Sequence, residues 1–149
     1  DPHARACRDL AKRLHYKLQL PSFIYFQHQS GLQEGKKMSA SEHDTAIFLS
    51  DTEEQVRRKI KKAFSGGRKS LEEHRKLGGI PENDRAYDIL KFHHPNDKFV
   101  GKIYNDYKSG RLLTGELKDI CIDFLNKFLK DHHKKLKRTN KIAEKILLD

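Results

Sequence analysis

Apolar residues at helical spacing form the main pattern of this sequence. From residue 52 to residue 148, successive stretches carry one apolar face among charged and polar positions, as helices that pack together do. The last stretch runs from Thr114 to Leu148, and its roughly 35 residues would extend about 52 Å at the rise of an α-helix. We expect the aromatic residues Phe92, Phe124 and Phe128 to belong to the core. The pattern in the second part of the chain therefore predicts a helical bundle.

Capping residues and glycines place the ends of these helices. Residues that cap helix N-termini, some of them in the capping-box spacing, stand at Thr52, Ser70 and Asp84. Glycines that can end a helix follow at Gly66-Gly67, Gly78-Gly79 and Gly110. These local signals divide the second part of the chain into helices joined by short turns.

The first third of the chain has a different pattern. Asp1 as N-cap and Pro2 at the first helical position predict a short amphipathic helix. Two apolar runs, residues 22–27 and residues 46–49, are short and rich in aromatic or aliphatic side chains, which predicts buried strands. The residues between the two runs are polar and predict a loop.

Charge narrows the possible partners. The chain carries 31 Lys and Arg against 21 Asp and Glu, a formal net charge of +10. This balance favours a polyanion, such as nucleic acid, nucleotide or anionic lipid. No apolar stretch approaches the roughly 20 residues of a membrane span, so we expect no membrane-spanning segment. Cys7 and Cys121 lack paired spacing and are interpreted as free thiols in a reducing, cytoplasmic compartment.

A short polar loop, Lys36–Ser41, is the first candidate for chemistry. Its sequence, Lys-Lys-Met-Ser-Ala-Ser, supplies ammonium groups and hydroxyls between the two apolar runs. Ammonium groups neutralise phosphate, while hydroxyls and loop amides donate hydrogen bonds to phosphate oxygens. The residue types alone fit either a polyphosphate-binding loop or an ordinary solvated loop.

The turn Phe64–Lys69 is a second candidate, because an aromatic ring and two cations surround Gly66-Gly67. A flexible turn of this kind lets a base stack on Phe64 and lets Arg68 bind base edges or phosphate. The alternative is a capped turn between helices, with Phe64 folded inward. The basic run from Lys127 to Lys141 is likewise either a solvated helix face or an RNA contact.

Metal binding is not expected from the histidines. The neighbours in each of the pairs His93-His94 and His132-His133 point to different sides of a helix. No carboxylate or cysteine set completes a site at ligand spacing. A complete nucleophile–base pair is not visible in the sequence either.

The loop and its surroundings resemble one enzyme family. Lys37-Met38-Ser39-Ala40-Ser41 resembles the second signature of the class I aminoacyl-tRNA synthetases. Further matches follow in the order and approximate spacing of the tryptophanyl-tRNA synthetases, eukaryotic cytosolic and archaeal branch, at Ala46–Leu49 with Asp51, Ala63–Arg68, Glu72–Arg75, Gly78-Gly79 and Leu113–Leu117. The opening Asp1-Pro2 resembles the end of that branch's Asp-Gln-Asp-Pro segment. The resemblance covers nearly the whole chain.

The resemblance implies the C-terminal half of such an enzyme. The family's other signature, a His-x-Gly-His-like motif, is absent from the chain, as is most of the tryptophan pocket. The implied fold is mainly α. Residues 1–50 would be the C-terminal end of a Rossmann-type α/β catalytic domain. Residues 51–149 would be a helical-bundle anticodon-binding domain whose last helix packs back on the catalytic part. The chain alone would be inactive.

The resemblance also implies the reaction and its partners. ATP, as its Mg²⁺ complex, and tryptophan would give tryptophanyl-adenylate, and the aminoacyl group would then pass to tRNA(Trp). Lys37 would stabilise charge on the ATP phosphates, and no tightly bound metal would be needed. Ser39 and Ser41 would hydrogen-bond phosphate or hold the loop closed. Met38 would lend its backbone to the adenine side. The complete enzyme would be a cytoplasmic homodimer.

Anticodon contacts are implied at Phe64, Arg68 and Lys69. Some relatives carry an acidic residue at the position of Lys69, which would accept hydrogen bonds from a base amine, and Lys cannot do so. Lys69 therefore either reads that base differently or contacts phosphate. Two other hypotheses compete. One is a basic helical RNA-binding module with a vestigial nucleotide loop. The other is a tyrosine-specific enzyme of the same fold, which the Phe-Ser-Gly-Gly-Arg turn disfavours.

Overall fold

The computed structural model describes residues 2–14, 19–25 and 28–147, and their regular structure is helical. The α-helices are α1 (Pro2–Arg13), α2 (Glu53–Lys62), α3 (Leu71–Leu77), α4 (Arg85–His93), α5 (Asp97–Lys108) and α6 (Thr114–Leu147). Short 3-10 helices lie at His43–Thr45 and Pro81–Asn83. The mainly helical class is therefore confirmed. Asp1, the predicted first cap, and Leu148, the predicted end of the last helix, lie outside the described residues.

The two predicted strands are wrong within the described residues. Residues 22–25 and 46–49 are irregular, while Phe26 and Gln27 lie outside the described part. A strand needs a neighbour that completes its hydrogen bonds. The described residues supply only an isolated antiparallel bridge between Ser30 and Lys37. Ile24 is 91% exposed, so the first run is not buried either.

The predicted N-terminal caps form as expected. Thr52 and Gln55 make a complete capping box at the start of α2. The Ser70 hydroxyl accepts a hydrogen bond from the Glu73 amide at the start of α3. Asp84 caps α4 by accepting hydrogen bonds from the first amides of that helix. These ends follow from side chains that are close in sequence, which is why the sequence predicts them.

Of the helix C-termini predicted at glycines, one is confirmed at Gly78 and one, at Gly66-Gly67, is wrong. Gly78 ends α3 with φ 73°, a left-handed conformation that glycine adopts without steric cost. The helix α2 ends earlier than expected, at Lys62, with Ala63 as its C-cap. Gly66-Gly67 is therefore not a helix stop, and it belongs to the connection that follows.

The core lies between α2, α4, α5 and α6. Its fully buried aliphatic and aromatic members include Val56, Ile60, Leu90, Tyr107, Leu117 and Ile122. The expected core positions of Phe92 and Phe128 are wrong, because these side chains are 37% and 53% exposed. Phe128 borders an apolar groove together with Phe124, whereas the Phe92 ring centroid lies 5.9 Å from the Lys91 ammonium. Phe124 is half-buried and packs against the core.

The helices α2 and α6 run antiparallel. The buried Lys118 ammonium near the start of α6 donates to the carbonyls of Lys61 (2.9 Å) and Ala63 (2.7 Å), where α2 ends. This contact satisfies helix carbonyls that lack an internal partner. Burial lowers the pKa of Lys118. Farther along α6, the His133 imidazole donates to the Leu49 carbonyl at 2.6 Å. Residues 134–139 of α6 are all exposed.

Among the described helices, none combines the length and the apolar composition that a bilayer crossing requires. The thiols of Cys7, which is exposed, and Cys121, which is buried, are both free as expected.

Candidate functional site

The Lys36–Ser41 loop begins at a narrow pair of antiparallel segments. Ser30 and Lys37 form the isolated bridge, and the Gly31 amide donates to the Lys36 carbonyl at 3.0 Å. A Cβ at position 31 would lie 2.8 Å from the Lys36 carbonyl oxygen, closer than real Cβ atoms approach. Glycine at position 31 therefore permits the close approach that forms the base of the loop.

Thr45 holds the other end of the loop. Its buried hydroxyl accepts a hydrogen bond from the Ser39 amide at 3.0 Å and donates to the Glu42 carbonyl at 2.7 Å. The Ser39 and Ser41 hydroxyls are 2.9 Å apart and hydrogen-bonded to each other. The main chain of the loop is thus fixed by neighbours within a few residues.

The two lysines of the loop differ in their surroundings. The Lys36 ammonium pairs with the Glu42 carboxylate at 2.7 Å. The Lys37 ammonium has no ion pair with any described residue, and its side chain is exposed. Of the two, Lys37 is the cation that an anionic ligand can use without first displacing a carboxylate. Met38 lies beside it and lines an apolar groove with Phe124 and Phe128.

A buried ion pair connects the segment after the loop to α2. The Lys59 ammonium lies 2.7 Å from the Asp51 carboxylate and donates to the Ala46 carbonyl at 3.0 Å. Lys59 and Asp51 are only 4% and 6% exposed. The Asp51 carboxylate also accepts from the Phe48 amide at 2.9 Å, and the ammonium lies 4.7 Å from the Phe48 ring centroid. This cluster fixes residues 46–51 against the helix.

This role of Lys59 was not predicted from the sequence. A signal was available, because Lys59 stands three residues after Val56 and four before Ala63, both of which are buried. That spacing places Lys59 on the apolar side of the helix. Its carboxylate partner precedes the capping box by a single residue.

The turn Phe64–Lys69 is held in place, which corrects the expectation that it is flexible. The Gly66 amide donates to the Asp84 carboxylate at 3.1 Å, and the Gly66 carbonyl accepts from the Ile80 amide at 2.8 Å. A Cβ at position 66 would lie 1.9 Å from the Ile80 carbonyl oxygen. The glycine is needed for close backbone approach and not for mobility.

The three side chains predicted to contact an anticodon have different environments. Phe64 is half-buried, with the Arg85 guanidinium 5.7 Å from its ring centroid. The Arg68 Nε donates to the Gly78 carbonyl at 2.8 Å, while its residue as a whole remains exposed. Lys69 is exposed and has no ion pair with a described residue. The alternative interpretation, in which Phe64 folds inward, is therefore correct only in part, because the side chain is half-buried.

Asp84 joins the turn directly to α4 and α5, and through Tyr107 to α6. One carboxylate oxygen accepts from the Ala86 and Tyr87 amides, and the other accepts from the Gly66 amide and the Tyr107 hydroxyl. The side chain is completely buried. The Tyr107 hydroxyl is also 3.0 Å from the Thr114 hydroxyl at the start of α6. Burial, followed by the charge of Asp84, raises the pKa of Tyr107.

Two histidines of the adjacent pairs are hydrogen-bonded to oxygen atoms of distant residues. The His93 imidazole is 2.9 Å from the Gln29 amide oxygen, and His133 binds the Leu49 carbonyl. Over the described residues, no group of three or more His, Cys, Asp or Glu side chains could hold a metal ion.

Comparison with protein families places these features in a known class. The family described as tRNA synthetases class I (W and Y) matches residues 1–130, and the chain belongs to this family.

Individual relatives indicate the branch. The chain is 46% identical over 132 residues to the cytoplasmic tryptophan–tRNA ligase of Saccharomyces cerevisiae, covering 87% of the chain and 30% of the relative. The crystal structure of tryptophanyl-tRNA synthetase from Aeropyrum pernix matches with a TM-score of 0.91 and 41% identity, over 97% of this chain and 40% of that one. The predicted resemblance to the eukaryotic cytosolic and archaeal tryptophanyl branch is confirmed.

One tyrosine-specific relative is less similar to this chain. The tyrosyl-tRNA synthetase of Archaeoglobus fulgidus matches with a TM-score of 0.56 and 30% identity, over 72% of this chain and 35% of that chain. The chain spans between 30% and 40% of the length of the first curated tryptophan–tRNA ligases that it matches.

Proposed function

We propose that this chain is the C-terminal portion of a tryptophan–tRNA ligase. Residues 1–50 would complete a Rossmann-type catalytic domain, and residues 51–149 would form the anticodon-binding domain, with α6 packing back on the first part. The hydrogen bond from His133 to the Leu49 carbonyl supports that last arrangement. The observation that carries the proposal is the exposed Lys37, which is ion-paired to no described residue and lies on a loop whose main chain is fixed.

The proposed reaction has two steps. A carboxylate oxygen of tryptophan attacks the α-phosphorus of ATP, and pyrophosphate leaves. A terminal ribose hydroxyl of tRNA(Trp) then attacks the carbonyl carbon of the adenylate, and AMP leaves. ATP enters as its Mg²⁺ complex, and catalysis depends mainly on positioning and charge stabilisation.

The loop has a defined part in the first step. The Lys37 ammonium would neutralise charge that develops on the leaving pyrophosphate. The hydroxyls of Ser39 and Ser41, now bonded to each other, would turn to donate to phosphate oxygens. Met38 would face the adenine side with its backbone. The remainder of the tryptophan site would be supplied by a part of the enzyme outside this chain, so the chain alone would not charge tRNA. The complete enzyme would be a cytoplasmic homodimer.

The Lys37→Ala variant of the complete enzyme tests the catalytic assignment. We expect tryptophan-dependent pyrophosphate exchange to slow on the order of a hundredfold, because a preorganised charge at the leaving group is lost. The matched control is Lys36→Ala, since the Lys36 ammonium is already paired with Glu42. An unchanged exchange rate for Lys37→Ala would refute the role of the loop.

The variants Phe64→Ala and Arg68→Ala test the anticodon assignment. We expect each to weaken tRNA(Trp) binding by about 1–3 kcal/mol, through loss of stacking or of base contacts. Filter binding at fixed salt measures the effect, with Lys98→Ala, on an exposed part of α5, as the control. Equal affinities for the variants and the wild type would exclude the turn as an anticodon contact.

Tryptophan activation and tRNA charging by the complete enzyme, compared with the 149-residue chain, separate the ligase from the competing RNA-binding module. The ligase proposal expects no charging by the chain alone, and full charging by the complete enzyme. If the complete enzyme bound tRNA without activating tryptophan, the vestigial-loop hypothesis would be correct.

A further inference from the structure

The cations of α2 and α6 differ in whether an acidic partner neutralises them. On α2, Arg57 and Lys61 both face Asp119, at 3.9 Å and 2.7 Å, and Arg58 pairs with Asp44 at 2.9 Å. Acidic neighbours therefore neutralise part of the basic face of α2, with one carboxylate shared by Arg57 and Lys61. This face offers less charge to a polyanion than the sequence indicates.

Four lysines of α6 have no such partner. They share one face of the helix, have exposed side chains, and are ion-paired to no described residue; they are Lys127, Lys130, Lys134 and Lys137. We call this set the α6 stripe. It extends over roughly 15 Å of helix axis, a length along which a nucleic-acid duplex presents several phosphates. By contrast, the neighbouring Lys135 pairs with Asp131 at 2.7 Å.

The stripe borders a surface hollow beside the start of α2. Lys130, Lys134 and Lys137 line this hollow of about 350 Å³ together with Asn126. The Asn126 Oδ1 atom is buried and has no hydrogen-bond partner within the described part of the chain. Because the two ends of a side-chain amide can exchange places by rotation, Asn126 can present its NH₂ group to an oxygen ligand.

Acidic residues near the hollow do not cancel the stripe. Asp51 also lines it, but its carboxylate is neutralised by Lys59 at 2.7 Å. Glu53 contributes one exposed carboxylate, against three lysines. The hollow therefore keeps a positive balance and suits an anion.

We propose that the α6 stripe binds the phosphate backbone of a base-paired stem of tRNA. The inference rests on the proposed function for the identity of the RNA, and it assigns a surface separate from the Phe64–Lys69 turn. Lys118 contacts the end of α2, just before the Phe64–Lys69 turn, whereas Lys130 and Lys134 lie near the start of α2. About 15 Å of helix therefore separates the stripe from the turn.

A duplex fits this surface better than a single strand or a membrane. Single-strand sites combine cations with aromatic platforms for stacking, and the stripe contains no aromatic residue. Duplex RNA is bound largely through its shape and its phosphates. Insertion into a bilayer interface would require an apolar face alongside the lysines. Beside the stripe, the hollow is lined by the polar side chains of Asn126 and His133 and by Leu129, which is buried and offers no apolar surface for insertion.

The test compares two charge-matched triple variants of the 149-residue chain. The stripe variant is Lys130→Gln/Lys134→Gln/Lys137→Gln, and the control is Lys12→Gln/Lys98→Gln/Lys102→Gln, whose lysines are exposed elsewhere. Fluorescence anisotropy measures binding of labelled tRNA(Trp) transcript between 50 and 200 mM KCl. We expect the stripe variant to bind at least about tenfold more weakly at 50 mM and to show a salt slope shallower by about 2. The control should change less than twofold.

Several outcomes would overturn the proposal. Equal losses of tRNA affinity in the two triple variants would show a general effect of charge. If the wild-type chain did not bind RNA, the proposed binding surface would be refuted. Preferential binding to phosphatidylserine vesicles would assign the stripe to a membrane instead. Circular dichroism checks that both variants fold, and the Lys→Arg triple at the same positions should restore the wild-type salt slope.

The same titrations separate this inference from the proposed function. Removal of phosphate contacts should lower the affinity for all tRNAs alike. Changes in the Phe64–Lys69 turn should instead alter the preference for the tRNA(Trp) anticodon. A chain without anticodon preference that still loses affinity in the stripe variant would support the stripe and contradict the anticodon assignment. If the chain instead preferred the tRNA(Trp) anticodon and the stripe variant bound as tightly as the wild type, the anticodon assignment would be supported and the stripe proposal contradicted.

Discussion

Single buried residues hold the connections of this protein in place. Asp84 is the clearest case, because its carboxylate accepts hydrogen bonds from the main chain of the turn, the first amides of α4 and the Tyr107 hydroxyl. Hydrogen-bond donors on both oxygens satisfy this carboxylate despite its complete burial. One side chain therefore both begins a helix and fixes the turn that carries Phe64 and Arg68.

Cys121 gives a prediction for alkaline pH. Burial raises the pKa of its thiol to about 12 from the ordinary value of 9.0. Between these values the unfolded chain loses the thiol proton while the folded chain keeps it. The stabilising contribution is therefore complete below pH 9 and is lost as pH rises toward 12. From this group alone, we expect the free energy of unfolding to fall by roughly 1.4 kcal/mol per pH unit.

Denaturant unfolding at pH 8 and pH 10.5 measures the effect in wild type and in Cys121→Ala. The variant should be less stable at pH 8, because a buried side chain is truncated, and should lose less stability on going to pH 10.5. Cys7→Ala is the control, since Cys7 is exposed. A pH dependence that is identical in wild type and Cys121→Ala would contradict the prediction.

At the scale of elements, the sequence predicts what depends on nearby residues. Helix periodicity and the caps at Thr52, Ser70 and Asp84 act within a few positions, and all of them form as expected. Residues 22–25 read as a strand because of their side chains, but a strand depends on a distant partner that the sequence does not identify. Phe128 is exposed for a related reason, since its burial depends on what covers α6.

The ion pair of Lys59 with Asp51 joins α2 to the segment that follows the Lys36–Ser41 loop, and its loss should destabilise the fold. We expect Lys59→Met to destabilise the chain by about 3–5 kcal/mol, because the buried Asp51 carboxylate is left without its counter-ion. Lys62→Met is the matched control, as Lys62 is an exposed lysine of the same helix. Urea unfolding monitored by circular dichroism measures both variants.

The double variant Lys59→Met/Asp51→Leu completes a thermodynamic cycle. It should recover part of the stability lost in Lys59→Met, because no buried charge remains unpaired. Equal stabilities of Lys59→Met and Lys62→Met would show that the pair does not hold residues 46–51 against α2.

For the whole molecule, the sequence predicts the total charge but not its distribution. The formal net charge of +10 indicates a polyanion partner. Only the fold shows that Asp119 pairs with Arg57 and Lys61, while the lysines of the α6 stripe are ion-paired to no described residue. The candidate residues of the loop and the turn come from sequence motifs. The difference between Lys36 and Lys37 comes from the carboxylate of Glu42, which the motif does not include.

Stability is also distributed unevenly over the molecule, and hydrogen exchange should reveal it. The helices α2, α4 and α6 share one core, with Ile60, Leu90 and Leu117 completely buried. The helix α1 leaves Leu10 exposed, and one of its described contacts is the approach of Arg8 to the Phe23 ring at 5.2 Å. Opening α1 therefore exposes little additional apolar surface.

We expect amides of α1 to exchange on the order of a hundredfold faster than those of α4, because local opening costs less than unfolding of the core. Native-state exchange of the 149-residue chain, read by mass spectrometry of peptic peptides, measures both helices in one sample. The Ile60→Ala variant should accelerate exchange in α4 and α6 and leave α1 nearly unchanged. If α1 instead exchanged at the rate of α4, the two helices would open in one cooperative step and α1 would be part of the core unit.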